Sequence, residues 1–143
     1  MTHRCSTVDR MFREQFESGA FRPAEFNHRA HLRLAYVCLT EHDSATAQCL
    51  MSDALHRFLD THGIDRAKYH ETLTRAWIMA VRHFMELTPG AESADAFIDQ
   101  DPRMLDSTIM RTHYSAETLF LPEARARFIE PDLDPIPRHD RGR

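Results

Sequence analysis

Along all 143 residues no segment alternates apolar and polar side chains over a useful length, whereas apolar residues recur at helical spacing throughout. A chain patterned in this way has no half-buried strand to contribute to a sheet. The expected fold is all-α: a single-domain bundle of about four longer helices, with shorter helices packed at one end. Val8, Met11, Phe12 and Phe16 predict a first helix from about Thr7 to Ser18, stopped by Gly19. Pro23 suits a helix start and predicts a second, central helix from there to about Glu41. Ser44 caps a third, carried by Ala47, Leu50, Met51, Ala54, Leu55, Phe58 and Leu59 and closed by Gly63. Asp65 opens a fourth that ends near Leu87, before Pro89-Gly90. Ser93 opens a short piece to about Ile98, and Asp101-Pro102 starts a helix reaching Tyr114. Ser115, Thr118 and Pro122 indicate one or two further turns through Phe128. Glu130 to Arg143 carries three prolines and a polar end, so it is expected to be extended and draped over the bundle. The division expected is thus a helical domain over 1–129 and a tail over 130–143.

A chain of this length buries about two-thirds of its unfolded surface, so no disulfide or structural metal is needed merely to hold a fold. Lys+Arg 18 against Asp+Glu 22 gives a formal charge of −4, without the basic excess that a nucleic-acid backbone calls for. No run approaches the roughly 20 apolar residues of a membrane span, and the first ten residues are polar. Cys5, Cys38 and Cys49 are odd in number and form no C-x-x-C pair, which points away from a disulfide framework and towards a reducing cytoplasm. Cys38 and its fellows read as buried hydrophobes rather than nucleophiles. The unusual number is histidine, with ten residues whose protonation would carry the net charge from −4 to +6.

Helical phase sorts those histidines. With Phe26 at zero and about 100° per residue, Leu32, Leu34, Ala35, Cys38 and Leu39 span an arc of roughly 80° to 240°. His31 falls near 140° and His28 near 200°, both inside the apolar arc, and their i, i+3 spacing puts them on adjacent turns. On the fourth helix His70 lies within the face of Leu73, Trp77, Val81 and Phe84, Glu71 falls to its side, and Thr74 sits at its edge. On the helix from Pro102, Asp106 and His113 share a side with Leu105 and Ile109, and Tyr114 is offset. His42, His56, His62, His83 and His139 read as surface residues. Buried polar groups without partners cost about 1 to 3 kcal/mol each, so several at one depth point to a mutually satisfied cluster.

The run Phe26-Asn27-His28-Arg29-Ala30-His31-Leu32, the segment Tyr69-His70-Glu71-Thr72-Leu73-Thr74, and Glu130-Pro131-Asp132-Leu133 near the C-terminus resemble an uncharacterised family of small all-helical bacterial proteins. The resemblance spans most of the chain and implies an all-helical fold, but no particular reaction. Other motifs fit less well. Only Glu25-x-x-His28 matches the pattern of ferritin-like di-iron proteins, and the doublet His42-Asp43 lies at a helix end, off the buried face. There is no H-E-x-x-H, Gly-rich phosphate loop or G-x-S-x-G.

The cluster suggests first a metal-dependent enzyme acting on a small molecule. His28, His31 and His70 would bind one divalent Fe, Zn, Mn or Cu ion, and Glu71, Asp106, His113 and Tyr114 would serve as acid, base or substrate-orienting groups. The alternatives are a metal-free enzyme in which histidines and Asp106 shuttle protons, and a non-enzymatic module binding a small ligand or a partner. A homodimer is compatible with any of these.

Overall fold

In a computed structural model, which describes residues 2–139, the chain is all-helical, and none of the described residues lies in a strand. The helices are α1 (Thr7–Ser18), α2 (His28–Glu41), α3 (Ser44–Thr61), α4 (Glu71–Leu87), α5 (Ala94–Gln100), α6 (Ala116–Phe120) and α7 (Pro122–Ala126). Short 3-10 segments occupy Pro23–Glu25, Arg66–Lys68, Pro102–Leu105 and Ser107–Thr112. No helix among the described residues is long and apolar enough to cross a membrane.

Capping explains where the helices begin. The second helix starts at His28 rather than Pro23, because the Asn27 side chain accepts the Ala30 N–H and leaves Pro23–Glu25 as a separate turn. The fourth starts at Glu71 rather than Asp65. Asp65 caps only the Arg66–Lys68 turn, and the His70 ring takes over as N-cap of α4. The expected helix from Pro102 to Tyr114 is instead two 3-10 turns split at Asp106, whose carboxylate accepts the Thr108 N–H and competes with helical pairing. Asp106 and His113 therefore do not share the helical face assigned to them.

α2, α3 and α4 pack mutually, with α1 against α2 and α3, α5 against α2, and α7 against α4. Their apolar stripes form one contiguous core. At one end Phe16 of α1 stacks on Phe58 of α3, with ring centroids 4.4 Å apart. At the other, Tyr36 of α2 stacks on Phe97 of α5 at 4.8 Å, and its hydroxyl donates to the Arg4 carbonyl at 2.8 Å. That contact anchors an N-terminal arm, whose Arg4 N–H also donates to the Ala91 carbonyl at 2.7 Å. Gly90 makes the passage possible, since a Cβ there would lie 2.2 Å from the Thr2 carbonyl oxygen. The proline-bearing segment after α7 is free of helix and strand through residue 139, as its composition suggests. It packs onto the core through Ile136, and residues 140–143 of the expected tail lie outside the described residues.

Asp9 joins three of these pieces. Fully buried, its carboxylate accepts the Ser6 N–H at 3.0 Å, the Ala94 N–H of α5 at 2.9 Å and the Arg33 Nε–H of α2 at 3.2 Å. Removing it strands two backbone donors and a guanidinium together. Asp9→Ala is expected to lower stability on the order of 3 kcal/mol in urea unfolding. Arg33→Met, which leaves both backbone donors paired, is expected to cost clearly less. Equal losses would show that the ion pair, not the backbone clip, carries the stabilisation.

Candidate functional site

A cleft of about 730 Å³ opens at the junction of α2, α3 and the turn leading into α4. Leu55, Phe58 and Leu59 come from one face of α3, at i, i+3 and i+4, and Phe26 from the segment before α2. Ile64 and Leu73 complete the apolar wall. The polar lining consists of His31, Lys68, Tyr69, His70 and Thr74. A volume within the roughly 300–1,000 Å³ span of small-molecule sites, apolar walls and a few polar groups make this the natural place to look for function.

Most of those polar groups are already committed. The Tyr69 hydroxyl donates to the Glu71 carboxylate and accepts from the Ser52 hydroxyl at 2.9 Å, and burial together with that carboxylate pushes the phenol up to about 12. The Thr74 hydroxyl donates to the His70 carbonyl at 2.8 Å. His70 uses both ring nitrogens: Nδ1 accepts the Leu73 N–H at 3.1 Å as the cap of α4, and Nε2–H donates to the Leu119 carbonyl at 2.9 Å. Those two bonds fix a neutral tautomer, and burial lowers the ring's proton affinity further.

His31 differs. Part of the residue remains exposed, but Nε2 itself is shut off from solvent and has no hydrogen-bond partner. Its ring sits 5.4 Å from that of Phe26. Burial, with a smaller contribution from His28, drops the imidazole from its ordinary 6.5 to about 4, so it is neutral at physiological pH. Lys68, exposed at the rim, makes no ion pair among the described residues.

The other residues singled out from the sequence are dispersed. His28 donates Nε2–H to the Met104 carbonyl at 2.9 Å and lies edge-on to Trp77. Glu71 accepts from Tyr69 and Gln48 and lines a separate, shallower depression with His56 and Arg125. Asp106 is exposed and held below the usual carboxylate range by the hydroxyl and N–H of Thr108. His113 donates Nδ1–H to the Asp134 carbonyl at 2.7 Å. Tyr114 is buried and donates to the Ile129 carbonyl at 2.6 Å, and burial raises its phenol. Asp106, His113 and Tyr114 are thus fasteners of the C-terminal third and line no part of the cleft. Among the described residues, no group of three or more His, Cys, Asp or Glu side chains is arranged to hold a metal ion.

The five histidines assigned to the surface are partly buried rather than fully exposed. His83 and His139 meet through Nδ1 and Nε2 at 2.9 Å, with rings only 18° from parallel and centroids 5.1 Å apart. That spacing is a head-on N–H···N bond, not two lone pairs converging on an ion. The cysteines are free, and burial pushes the Cys38 thiol up to about 11, away from nucleophilic character. Lys68 is the site residue that helical phase passes over. Its signal was compositional, as the chain's sole lysine among 18 Lys and Arg residues.

No family model matches the chain, and no curated protein or solved structure matches it.

The His70 geometry ranks two substitutions. His70→Asn keeps a capping acceptor for Leu73 but loses the link to Leu119, whereas His70→Ala loses both. Thermal unfolding is expected to place wild type above His70→Asn and His70→Ala lowest, with about 1 kcal/mol between the variants. Equal stability of the two variants would show that the cap contributes nothing.

Proposed function

We propose that the protein is a small-molecule-binding helical domain whose cleft receives a largely apolar compound carrying at least one hydrogen-bonding group. The observation that carries this is the cleft itself, apolar-walled and lined in part by His31, whose Nε2 lies behind the wall without a hydrogen-bond partner. A buried nitrogen left without a partner is costly to the free protein, and a ligand hydroxyl, amide or carbonyl would remove that cost once the ring turned the nitrogen towards the cleft.

Binding fits better than proton-transfer catalysis. A general base works best with a pKa near the operating pH, and His31 is depressed to about 4 with no carboxylate hydrogen-bonded to it. Asp106, the expected proton-shuttle partner, belongs to another part of the chain and caps its own turn. A three-histidine metal centre would require His70 to release either the α4 cap or the Leu119 carbonyl, because both of its ring nitrogens are in use.

His31→Leu fills similar space without a polar atom. It is expected to stabilise the free protein by about 1 to 3 kcal/mol and to weaken binding of p-cresol and indole, measured by ligand-observed NMR. Leu59→Trp, which fills the cleft, is expected to abolish that binding. A wild-type protein that binds neither compound, or binding that survives both substitutions, would overturn the proposal. The pH dependence supplies a further check. The folded-state pKa of His31 lies below its ordinary value, so between about 6.5 and about 4 the unfolded chain binds a proton that the folded one does not. Stability attributable to His31 is complete above 6.5 and is lost as pH falls towards 4, on the order of 3 kcal/mol. His31→Leu is expected to flatten that slope. It will not remove the slope, because His70 and His83 are shifted in the same direction.

A further inference from the structure

We propose that the ligand class of this cleft is an amphipathic carboxylate, with its apolar body against Phe26, Leu55, Phe58 and Leu73 and its carboxylate paired with Lys68 at the rim. This rests on the binding role proposed for the cleft and narrows it to one chemistry.

The charge pattern of the lining carries the argument. No acidic side chain lines the cleft, and Lys68 is its only permanently cationic one. Elsewhere among the described residues some cations have a carboxylate partner, whereas others, such as Arg57 and Arg111, have none but lie away from the cleft. Arg66, two residues away in the same 3-10 turn, is held by both oxygens of Asp60 at 3.0 and 2.7 Å. Arg22, Arg29, Arg33, Arg103, Arg127 and Arg138 likewise each have a carboxylate partner. Of the two acids three residues from Lys68 in sequence, Asp65 is turned back onto the Ala67 N–H as the cap of the turn, and Glu71 accepts from Tyr69 and Gln48. A lone ammonium beside an apolar cavity is thus the one unmatched charge that a ligand in the cleft would meet.

The chemistry of the lysine fits the position. An ammonium on a flexible stem is a point charge that can follow a carboxylate at the mouth while its methylenes extend the apolar wall. The cleft wall otherwise presents only the neutral His31 as an uncommitted polar group, because Tyr69, His70 and Thr74 are already bonded within the protein. Two uncommitted polar groups, one charged at the rim and one neutral and buried, suit a molecule with an anionic end and a hydrogen-bonding group along its body. An amine-bearing ligand of the same shape would meet the lysine as a like charge.

The test compares three compounds sharing one body: para-hydroxyphenylpropionate, its methyl ester and tyramine, each titrated against the full chain by NMR. The carboxylate is expected to bind roughly fivefold more tightly than the ester, the upper end of what an exposed ion pair supplies, with tyramine weakest. Raising the salt to about 0.5 M should bring carboxylate and ester close together. Lys68→Met is expected to remove the preference and leave ester binding unchanged. Lys68→Glu should invert it in favour of tyramine. Lys68 is exposed, so neither variant threatens the fold. Equal binding of carboxylate and ester, or a preference that persists in Lys68→Met, would overturn the carboxylate class while leaving a small-molecule cleft in place. Failure of all three compounds where p-cresol still binds would do the same. Failure of p-cresol as well would remove the binding role itself.

Discussion

The C-terminal third of the chain has little regular helix, and a segment of that kind must find partners for its own backbone carbonyls. Side chains from the bundle and from the segment itself supply them. His28 of α2 takes the Met104 carbonyl, His70 takes Leu119, and Thr72 of α4 donates to Arg127 while accepting the Ile129 N–H. Tyr114 and His113 then fasten Ile129 and Asp134. This is why polar residues occupy the inward stripes of α2 and α4. They face an irregular layer of backbone, and hydrogen bonds to carbonyls let that layer be buried without orphaned groups.

The same requirement explains how far the sequence could be followed. Helical phase placed His28, His31 and His70 on inward faces, and all three do face protein. Phase gives an angle around an axis, however, and not what covers that face. The covering segment carries its information in backbone carbonyls that are the same for every residue type. Convergence on one centre was therefore the natural expectation, whereas His28 and His70 bond separate carbonyls and the His31 Nε2 bonds none. The helix starts erred for a related reason. Pro23 and Asp65 are good starters by type, yet each opens only a 3-10 turn, and Asn27 and His70 cap the helices proper. At Asp106 a short side chain competing for its own backbone divides what periodicity presents as one helix. The all-helical architecture was legible because it depends on the stripes alone.

The cleft lies where that cover does not reach. None of its lining residues comes from beyond Thr74. His31 sits on the same face as His28 but has no carbonyl laid across its Nε2, so one ring is fastened and the other is buried without a partner. Nothing in the spacing of His28 and His31 distinguishes them. It takes the course of a segment some seventy residues further along the chain to do so.

The two arms share one support. His3 in the N-terminal arm donates to the Met85 carbonyl, and His139 meets the ring of His83, so both arms return to positions two residues apart on α4. Both arms of the described chain are thus held by the C-terminal half of one helix. Fraying of its last turns would loosen both of them together.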